Sequence, residues 1–335
     1  MSHAWSDETA PGPVAQDRGP RPTRFGVLRH RNFALFWIGL LISHTGTWVQ
    51  VVGQGWLVYQ LTNTPVWLGL TSLAFAVPMV VLPLIGGAVA DRFHRIHLIR
   101  GIQLIMAAAA ALLAALTYTG AIRAWHLLGF SFLGGVVLAF EGPARHASVP
   151  DLVDRSNLLS AVSLVTSSYQ LGGFFGPALA GVLLGVLGND RIYALFALNA
   201  CTYLLYAAAL SLIRGIPHHR EPAASLLGSL GDGLRFVWSR PGLRALLTFI
   251  TIAGVFGRSY IALMPVFARD VLHTDAQGLG YLTAAPGIGV IIAATALAAT
   301  GASGHKGRMI MTSALIFALT LCAFALSRLL PLSLV

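Results

Sequence analysis

Residues 86–100 read GGAVADRFHRIHLIR, a short basic turn between two long runs of uncharged, mostly apolar residues. About 20 apolar residues span the hydrocarbon core of a bilayer, so the turn is predicted to be a tight loop at one membrane face. Its glycines and alanines are small enough to let a second helix approach closely. Arg92, Arg95 and Arg100 are expected to hold the loop on the side that faces anionic lipid. This pattern is typical of a multi-span transporter.

The composition excludes a large soluble protein. The 335-residue chain is 56% hydrophobic and 10% charged, whereas soluble domains carry about 25% charged residues. A formal net charge of +10 would suit nucleic acid if the basic residues formed one face of a soluble domain. Here they lie between apolar runs, so we expect no nucleic-acid partner. Cys201 and Cys322 lie within apolar runs and are expected to be small core residues, with no disulfide framework or metal set.

The apolar runs predict an all-α membrane protein with about nine complete transmembrane helices and the start of a tenth. Boundaries read from sequence are uncertain by about 2–4 residues. The predicted spans are 33–59, 66–90, 98–119, 124–141, 157–188, 192–213, 243–270, 278–300 and 308–327.

Four regions are predicted along the chain. Residues 1–24 form a proline-rich, disordered cytosolic tail, and 25–213 form an N-terminal bundle of six helices. Residues 214–242 form a cytosolic connector, and 243–335 form an incomplete C-terminal bundle. A second glycine-rich basic turn, 301–308, follows the eighth span as the first turn follows the second, which indicates parallel repeats. Repeat symmetry would extend the second bundle to about residue 420, so we expect a C-terminally truncated chain.

The basic residues predict the orientation in the membrane. With the N-terminus in the cytosol, 17 of the 22 lysine and arginine residues lie on the cytosolic side. The positive-inside rule predicts such an asymmetry. The exceptions are Arg258, within a span, and four residues on the outer side, Arg123, Arg191, Arg269 and Arg328.

Three stretches together resemble the major facilitator superfamily. The turn at 87–95 resembles its cytosolic loop motif between spans two and three, with His94 in place of a glycine and Ile96 in place of a basic residue. The segment PARHASVPDLV at 143–153 and both ends of the first span are similar to the branch of enterobactin-type siderophore exporters and transmembrane secretion effectors. The resemblance covers residues 25–335. It implies a major facilitator-type helical bundle, with twelve helices in a complete relative.

The resemblance also implies a role for the basic turn. Gly87, Asp91, Arg92 and Arg95 are expected to form a conformational-switch loop. In relatives, the aspartate contacts the N-terminus of a helix in the second bundle, a contact that the helix macrodipole favours, and locks the outward-facing state. That helix would belong to the final third of the second bundle. We therefore expect Asp91 to lack its partner in this chain.

The fifth predicted span contains GGFFGPALAG at 172–181, which looks like the superfamily's antiporter motif with alanine in place of one glycine. Gly172 and Gly176 lie on one i+4 ridge of the helix. Pro177 and Gly181 lie on the next ridge, and the proline weakens the helix locally. Small residues let a neighbouring helix pack closely. Two interpretations stay open, namely tight packing around a kink and a specific role in coupling.

Three ionisable residues are candidates for substrate binding or coupling. Arg258 lies near the middle of a span, where a charge costs at least about 2.5 kcal/mol, so it either attracts an anionic group of the substrate or pairs with a polar neighbour. His44 either carries a coupling proton or is hydrogen-bonded inside the bundle. Glu141 lies at the predicted end of span four, beside a break at Pro143. It either carries the proton or forms a salt bridge with Arg145, four residues on.

Five uncharged polar residues complete the set of candidates. They lie within spans, where each either hydrogen-bonds a substrate or joins two helices. They are Gln50 and Gln54, which follow the histidine on the first span, and Tyr169, Gln170 and Asn199.

Two functions are open at this stage. The first is a secondary transporter of the bacterial inner membrane that exports a siderophore or drug-like molecule in exchange for protons, by rocking two bundles around a midplane site. Its partners would be the small-molecule substrate, protons and the lipid bilayer. The alternative is a non-transporting remnant or scaffold, motivated by the interrupted tenth span. The chain carries no complete nucleotide, metal or catalytic motif, so we expect no cofactor and no enzymatic activity.

Overall fold

The computed structural model describes residues 26–83, 86–87, 93–214, 235–300 and 306–334. Several residues within 250–259 and 291–300, and Lys306, are described by their backbone alone. All regular structure in the described part of the chain is helical. The helices are α1 Arg31–Thr62, α2 Pro65–Val81, α3 Arg95–Tyr118, α4 Ala124–Leu152, α5 Leu158–Leu187, α6 Tyr193–Ser211, α7 Pro241–Val266, α8 Ala276–Thr300, α9 Lys306–Leu326 and α10 Leu330–Ser333, with a π turn, Phe267–Val271, after α7.

The helices are long and apolar, and the predicted all-helical membrane protein is confirmed. Six stretches among the described residues can cross a membrane by length and composition: Arg31–Thr62, Arg95–Tyr118, Ala124–Leu152, Arg155–Leu187, Asn189–Ser211 and Gly307–Leu326. The total of nine spans and the start of a tenth stays a prediction. So does the division into tail, bundles and connector, because residues 1–25 and 215–234 lie outside the described residues.

Two expectations from the sequence are wrong. Helix α4 does not end beside Pro143 but continues through it and through Pro150 to Leu152. Proline removes one backbone donor, yet helices in membrane proteins tolerate it because neighbouring groups satisfy the freed carbonyl. Cys201 and Cys322 are exposed and are not core residues. In lipid an apolar side chain is as stable on the outside of a bundle as inside it, so apolar surroundings in sequence do not indicate burial.

Helix α1 lies at the centre of the N-terminal bundle, α1–α6, and packs against α5 and α6. Three glycines spaced seven residues apart allow α6 to approach it. A Cβ atom on Gly39 would lie 2.5 Å from the ring of Tyr206, and one on Gly46 would lie 2.5 Å from Asn199 Oδ1. The third, Gly53, faces Leu195 of α6. Small residues at a helix interface allow this close packing, which drives helix association in lipid.

The C-terminal helices α7–α9 meet the N-terminal bundle mainly where α8 packs against α5. Gly181 and Gly280 face each other there, and a Cβ on Gly181 would lie 2.9 Å from Gly280 Cα. Nearer the end of α5, a Cβ on Gly185 would lie 2.7 Å from the side-chain amide carbon of Gln277. In the other direction Gly287 faces the ring of Phe174. The two halves therefore touch through backbone at Gly181 and Gly280, and glycines on either side accommodate the side chains of Gln277 and Phe174.

This seam predicts a position-specific effect of adding one methyl group. Gly280→Ala would place Cβ against the backbone of Gly181, so we expect a lower unfolding temperature in detergent and a loss of about 1–3 kcal/mol, as for other overpacked sites. Gly289→Ala is the matched control on the same helix, because no described atom lies within 4 Å of its Cβ position. It should leave the unfolding temperature unchanged or raise it, since alanine favours helix. Equal effects of the two substitutions would contradict the seam.

Candidate coupling site

A buried polar cluster lies where α1, α4 and α5 meet. Arg145 Nη1 donates to Glu141 Oε1 at 3.2 Å and to His44 Nε2 at 3.3 Å. On its other side the His44 ring contacts Ser168, with 3.1 Å between Nδ1 and Oγ. The side chains of Glu141 and Arg145 are each 11% exposed. The structure therefore joins the two alternative proton carriers, His44 and Glu141, through one arginine, and we call these four residues the Arg145 cluster.

Local helix geometry places these side chains together. Residues four apart lie on the same face of an α-helix, so Glu141 and Arg145 can pair only because α4 continues past Pro143. Helix α5 reaches His44 because Gly172 has no side chain, since a Cβ there would lie 2.9 Å from the backbone and Cβ of His44. Ser168 lies one turn before Gly172 on the same face of α5 and contacts the imidazole ring.

The hydrogen bonds define the tautomer of His44. A guanidinium group has donors and no acceptor, so Nε2 of His44 must accept from Arg145. Ser168 Oγ donates to the carbonyl of Val165 at 2.6 Å and therefore accepts from Nδ1–H of His44. This assignment uses both ring nitrogens of a neutral imidazole. A second proton on Nε2 would point at the Arg145 guanidinium, so the arrangement favours Glu141 over His44 as the site of proton uptake.

A second layer of polar side chains lies between α1, α3 and Glu141. Gln103 is 1% exposed, and its Oε1 accepts from Ser43 Oγ at 3.1 Å. The Gln103 side chain also interacts electrostatically with Glu141. The carboxylate thus pairs with Arg145 of α4 and lies near a polar side chain of α3, as expected for a charge buried in a membrane protein.

Aromatic rings cover the side of the cluster formed by α1 and α5. The ring of Tyr169 meets His44 edge-on with 5.4 Å between ring centroids, and it lies 5.5 Å from the ring of Trp48. Tyr169 is 37% exposed, in contrast to His44 at 8%. Tyr169 is therefore the member of the predicted substrate set that borders both the buried cluster and the accessible surface.

Three other predicted polar residues join helices. Asn199 is fully buried on α6 and donates from Nδ2 to Gln50 Oε1 at 2.7 Å. Gln54 Nε2 donates to Ser131 Oγ at 2.8 Å and to the carbonyl of Leu127 at 3.1 Å. These bonds tie α1 to α6 and to α4, which favours the helix-joining interpretation over substrate contact.

The remaining candidates fall into two groups. Gln170 is exposed on α5, one residue from the ring that borders the cluster. Arg258 lies within α7, but its side chain is outside the described residues, as are Asp91 and Arg92 of the switch loop. Of the other loop residues, Gly87 has no described atom within 4 Å of its Cβ position, and Arg95 is paired with Asp151. Arg95 Nη1 donates to the carbonyl of Ala147 at 2.8 Å and to Asp151 Oδ2 at 3.1 Å, and both acceptors lie on α4.

The antiporter-like motif packs against two different helices. Gly172 faces His44, and a Cβ on Gly176 would lie 2.5 Å from Trp48 Cβ, so this ridge fits against α1. Gly181 instead faces α8. Pro177 is buried inside α5, which runs on past it to Leu187. The motif therefore gives α5 contacts to both halves of the molecule, which supports the packing interpretation.

Sequence reasoning missed the central place of Arg145 and the parts of Gln103 and Ser168. Arg145 was expected only as a local partner of Glu141, because its contact with His44 joins residues 101 apart in sequence. Gln103 offered a usable signal, since it is a polar residue in the long apolar run after Arg100. Polar side chains inside such runs seek partners on other helices.

The fold belongs to a known class of membrane proteins. The family model described as transmembrane secretion effector matches residues 22–335. The chain belongs to this family of major facilitator superfamily transporters and is a multi-pass membrane protein, not an enzyme.

Several characterised transporters are similar to the chain. The staphyloferrin A transporter of Staphylococcus aureus (strain NCTC 8325 / PS 47) is 27% identical over 263 residues, covering 78% of this chain and 66% of that protein. The multidrug efflux pump Tap of Mycolicibacterium fortuitum is 25% identical, covering 88% and 73%. Macrolide efflux protein A of Streptococcus pyogenes is 23% identical, covering 89% and 73%.

A solved structure shows the same fold. It is a bacterial homolog of the human lysosomal transporter Spinster in an inward-facing, unoccupied conformation, with a TM-score of 0.60 and 17% identity. The match covers 82% of this chain and 62% of that one. This chain thus spans about two thirds of the length of the staphyloferrin A transporter and of the Spinster homolog.

The Arg145 cluster predicts that Arg145→Met alone lowers the free energy of unfolding more than the double substitution Arg145→Met with Glu141→Gln. Arg145→Met would leave the Glu141 carboxylate buried and unpaired, so we expect a loss of about 3–5 kcal/mol, as for broken buried ion pairs. Adding Glu141→Gln removes the unpaired charge, and the double variant should recover most of that loss. Thermal unfolding of purified variants in one detergent measures this. A double variant less stable than Arg145→Met would show that Glu141 is not held by Arg145.

Proposed function

We propose that the chain is a secondary active transporter that exports a siderophore-like or drug-like small molecule in exchange for protons, by alternating access. The relatives named above include one siderophore transporter and two efflux proteins, which supports this substrate class. The distribution of basic residues supports an N-terminus in the cytoplasm of a bacterial cell, because this orientation would satisfy the positive-inside rule. The observation that carries the proposal is the buried Arg145 cluster, because a charged group inside a bundle marks a functional site by default.

Glu141 is the proton carrier in this proposal. Its carboxylate accepts from Arg145, and the neighbouring His44 already uses both ring nitrogens. Protonation of Glu141 would remove the charge that holds the guanidinium and weaken the pair, since hydrogen bonds between ionised groups are the strong ones. Arg145 would then be held by His44 alone, so the guanidinium that links α4 to α1 would be freer to move. A single proton therefore changes the contact between two helices.

Substrate is proposed to bind beside this cluster, where Tyr169 is accessible. An aromatic ring takes planar apolar groups and also cations, through the negative potential of its face. Gln170 is exposed on the next position of α5 and adds a hydrogen-bonding group. Arg258 of α7 remains the proposed partner for an anionic group of the substrate. Binding near Glu141 would let the substrate and the proton influence each other electrostatically.

Proteoliposomes test proton coupling directly. With a pH-sensitive dye inside, addition of a substrate from a panel of siderophores and cationic or acidic drugs should cause proton movement for at least one compound. Glu141→Gln should lower that proton flux at least about tenfold, because amide cannot carry the proton. His44→Gln, which can still accept from Arg145, should retain proton movement.

Asp190→Asn is the matched control, because Asp190 is an exposed carboxylate outside the cluster, and it should transport as the unsubstituted chain does. Full proton flux in Glu141→Gln would reject Glu141 as the carrier. Absence of substrate-dependent flux for the unsubstituted chain across the whole panel would instead support the non-transporting alternative.

A further inference from the structure

The N-terminal bundle and α7 also meet at the C-terminal end of α1. Tyr59 Oη donates a hydrogen bond to Asp270 Oδ2. The Arg269 guanidinium lies over the Tyr59 ring, with Cζ 5.5 Å from the ring centroid. Arg269 Nη1 also donates to Asn63 Oδ1 at 2.9 Å. We call Tyr59, Asn63, Arg269 and Asp270 the Tyr59 latch.

The side chains of the Tyr59 latch are positioned by a left-handed residue at the end of α1 and by the π turn after α7. Asn63 caps α1 in the left-handed region, with φ of 51°, and its N–H donates to the carbonyl of Tyr59. Asparagine is one of the few residues other than glycine that adopt this conformation readily. Arg269 and Asp270 lie in the π turn after α7, closed by a bond from Leu272 N to the carbonyl of Phe267 at 3.0 Å. Such turns are rare and frequent at functional sites.

The latch borders an apolar contact between the halves. Tyr59 and Trp56 of α1 belong to one buried cluster with Met264 of α7 and Leu279 of α8, each less than 5% exposed. Arg269 and Asp270 are exposed by contrast. The polar contacts therefore form the rim of a dry seam, where water can replace them.

We propose that the Tyr59 latch is a conformational device that holds this end of the two halves together and must open during transport. The inference rests on the proposed transport function, which requires the halves to separate at each end in turn. The location suits a reversible device, because exposed hydrogen bonds and ion pairs exchange with water at small net cost. In the proposed orientation the latch faces the cell exterior, and the conformation described here is closed on that side.

The reactivity of a cysteine introduced at a buried position beside the Tyr59 latch tests the proposal, and this measurement needs no transported substrate. The background replaces Cys201 and Cys322, which are both exposed, with alanine and carries Met264→Cys as reporter. Sealed proteoliposomes receive a membrane-impermeant maleimide on the outside or the inside in separate arms. Tyr59→Phe or Asp270→Asn should raise the labelling rate of the reporter about three- to fivefold, the equilibrium equivalent of one solvent-exposed polar contact.

The combination of the two substitutions is the decisive arm. If Tyr59 and Asp270 act as one unit, the double variant should label no faster than either single variant. Tyr118→Phe and Asp190→Asn are matched controls, since Tyr118 packs on Tyr193 and Asp190 is exposed, and neither should change the rate. Independent, multiplying effects of the two substitutions would overturn the latch.

A cross-link distinguishes opening of the latch from poor folding, because closing the latch covalently slows the labelling of a folded variant only. Asn63→Cys with Arg269→Cys, bridged by a short bifunctional thiol reagent before maleimide is added, should return labelling of Tyr59→Phe to the slow rate. If the proposed orientation of the chain in the membrane is wrong, labelling will be faster from the opposite side, and this result would still support the latch. Unchanged labelling from both sides in both single variants would overturn the latch, whatever the proteoliposome flux assay shows.

Discussion

The ion pair between Arg145 and Glu141 is the constraint on which the account depends. A charge inside a lipid-embedded bundle requires a partner, and each further hydrogen bond lowers the cost of burying it. Side chains of α1, α3, α4 and α5 surround this pair, so the cluster constrains the relative placement of four helices, although Arg145 Nε has no hydrogen-bond partner among the described residues. The same pair can be altered by one proton. Structural constraint and proposed coupling are thus properties of one interaction.

Close helix packing makes this arrangement possible. Helices in lipid gain little from the hydrophobic effect between them, and small residues let their backbones touch. Gly172 brings α5 to His44, while Gly181 of the same helix meets Gly280 of α8. Helix α5 therefore contacts both the polar cluster and the C-terminal half. A change at the cluster and a movement of the two halves have a direct physical connection through this one helix.

The all-helical fold class was predictable from the sequence, because a run of about 20 apolar residues is stable in a bilayer as an α-helix. The i,i+4 pair of Glu141 and Arg145 was also predictable, since helix geometry determines it. The contact of Arg145 with His44 was not, because it depends on which helices adjoin, and hydropathy does not encode neighbours. Burial of Cys201 was mispredicted for a related reason, since lipid and the bundle interior favour the same residues. The Tyr59 latch required the π turn, which periodicity does not reveal.

Infrared difference spectroscopy of the reconstituted protein tests the central claim most directly, because a protonated carboxylic acid has its own carbonyl-stretching band. A shift to acidic pH should produce such a band from a buried site, and Glu141→Gln should abolish it while Asp190→Asn leaves it unchanged. Retention of the full band in Glu141→Gln would contradict the account, since the proton would then reside on another group.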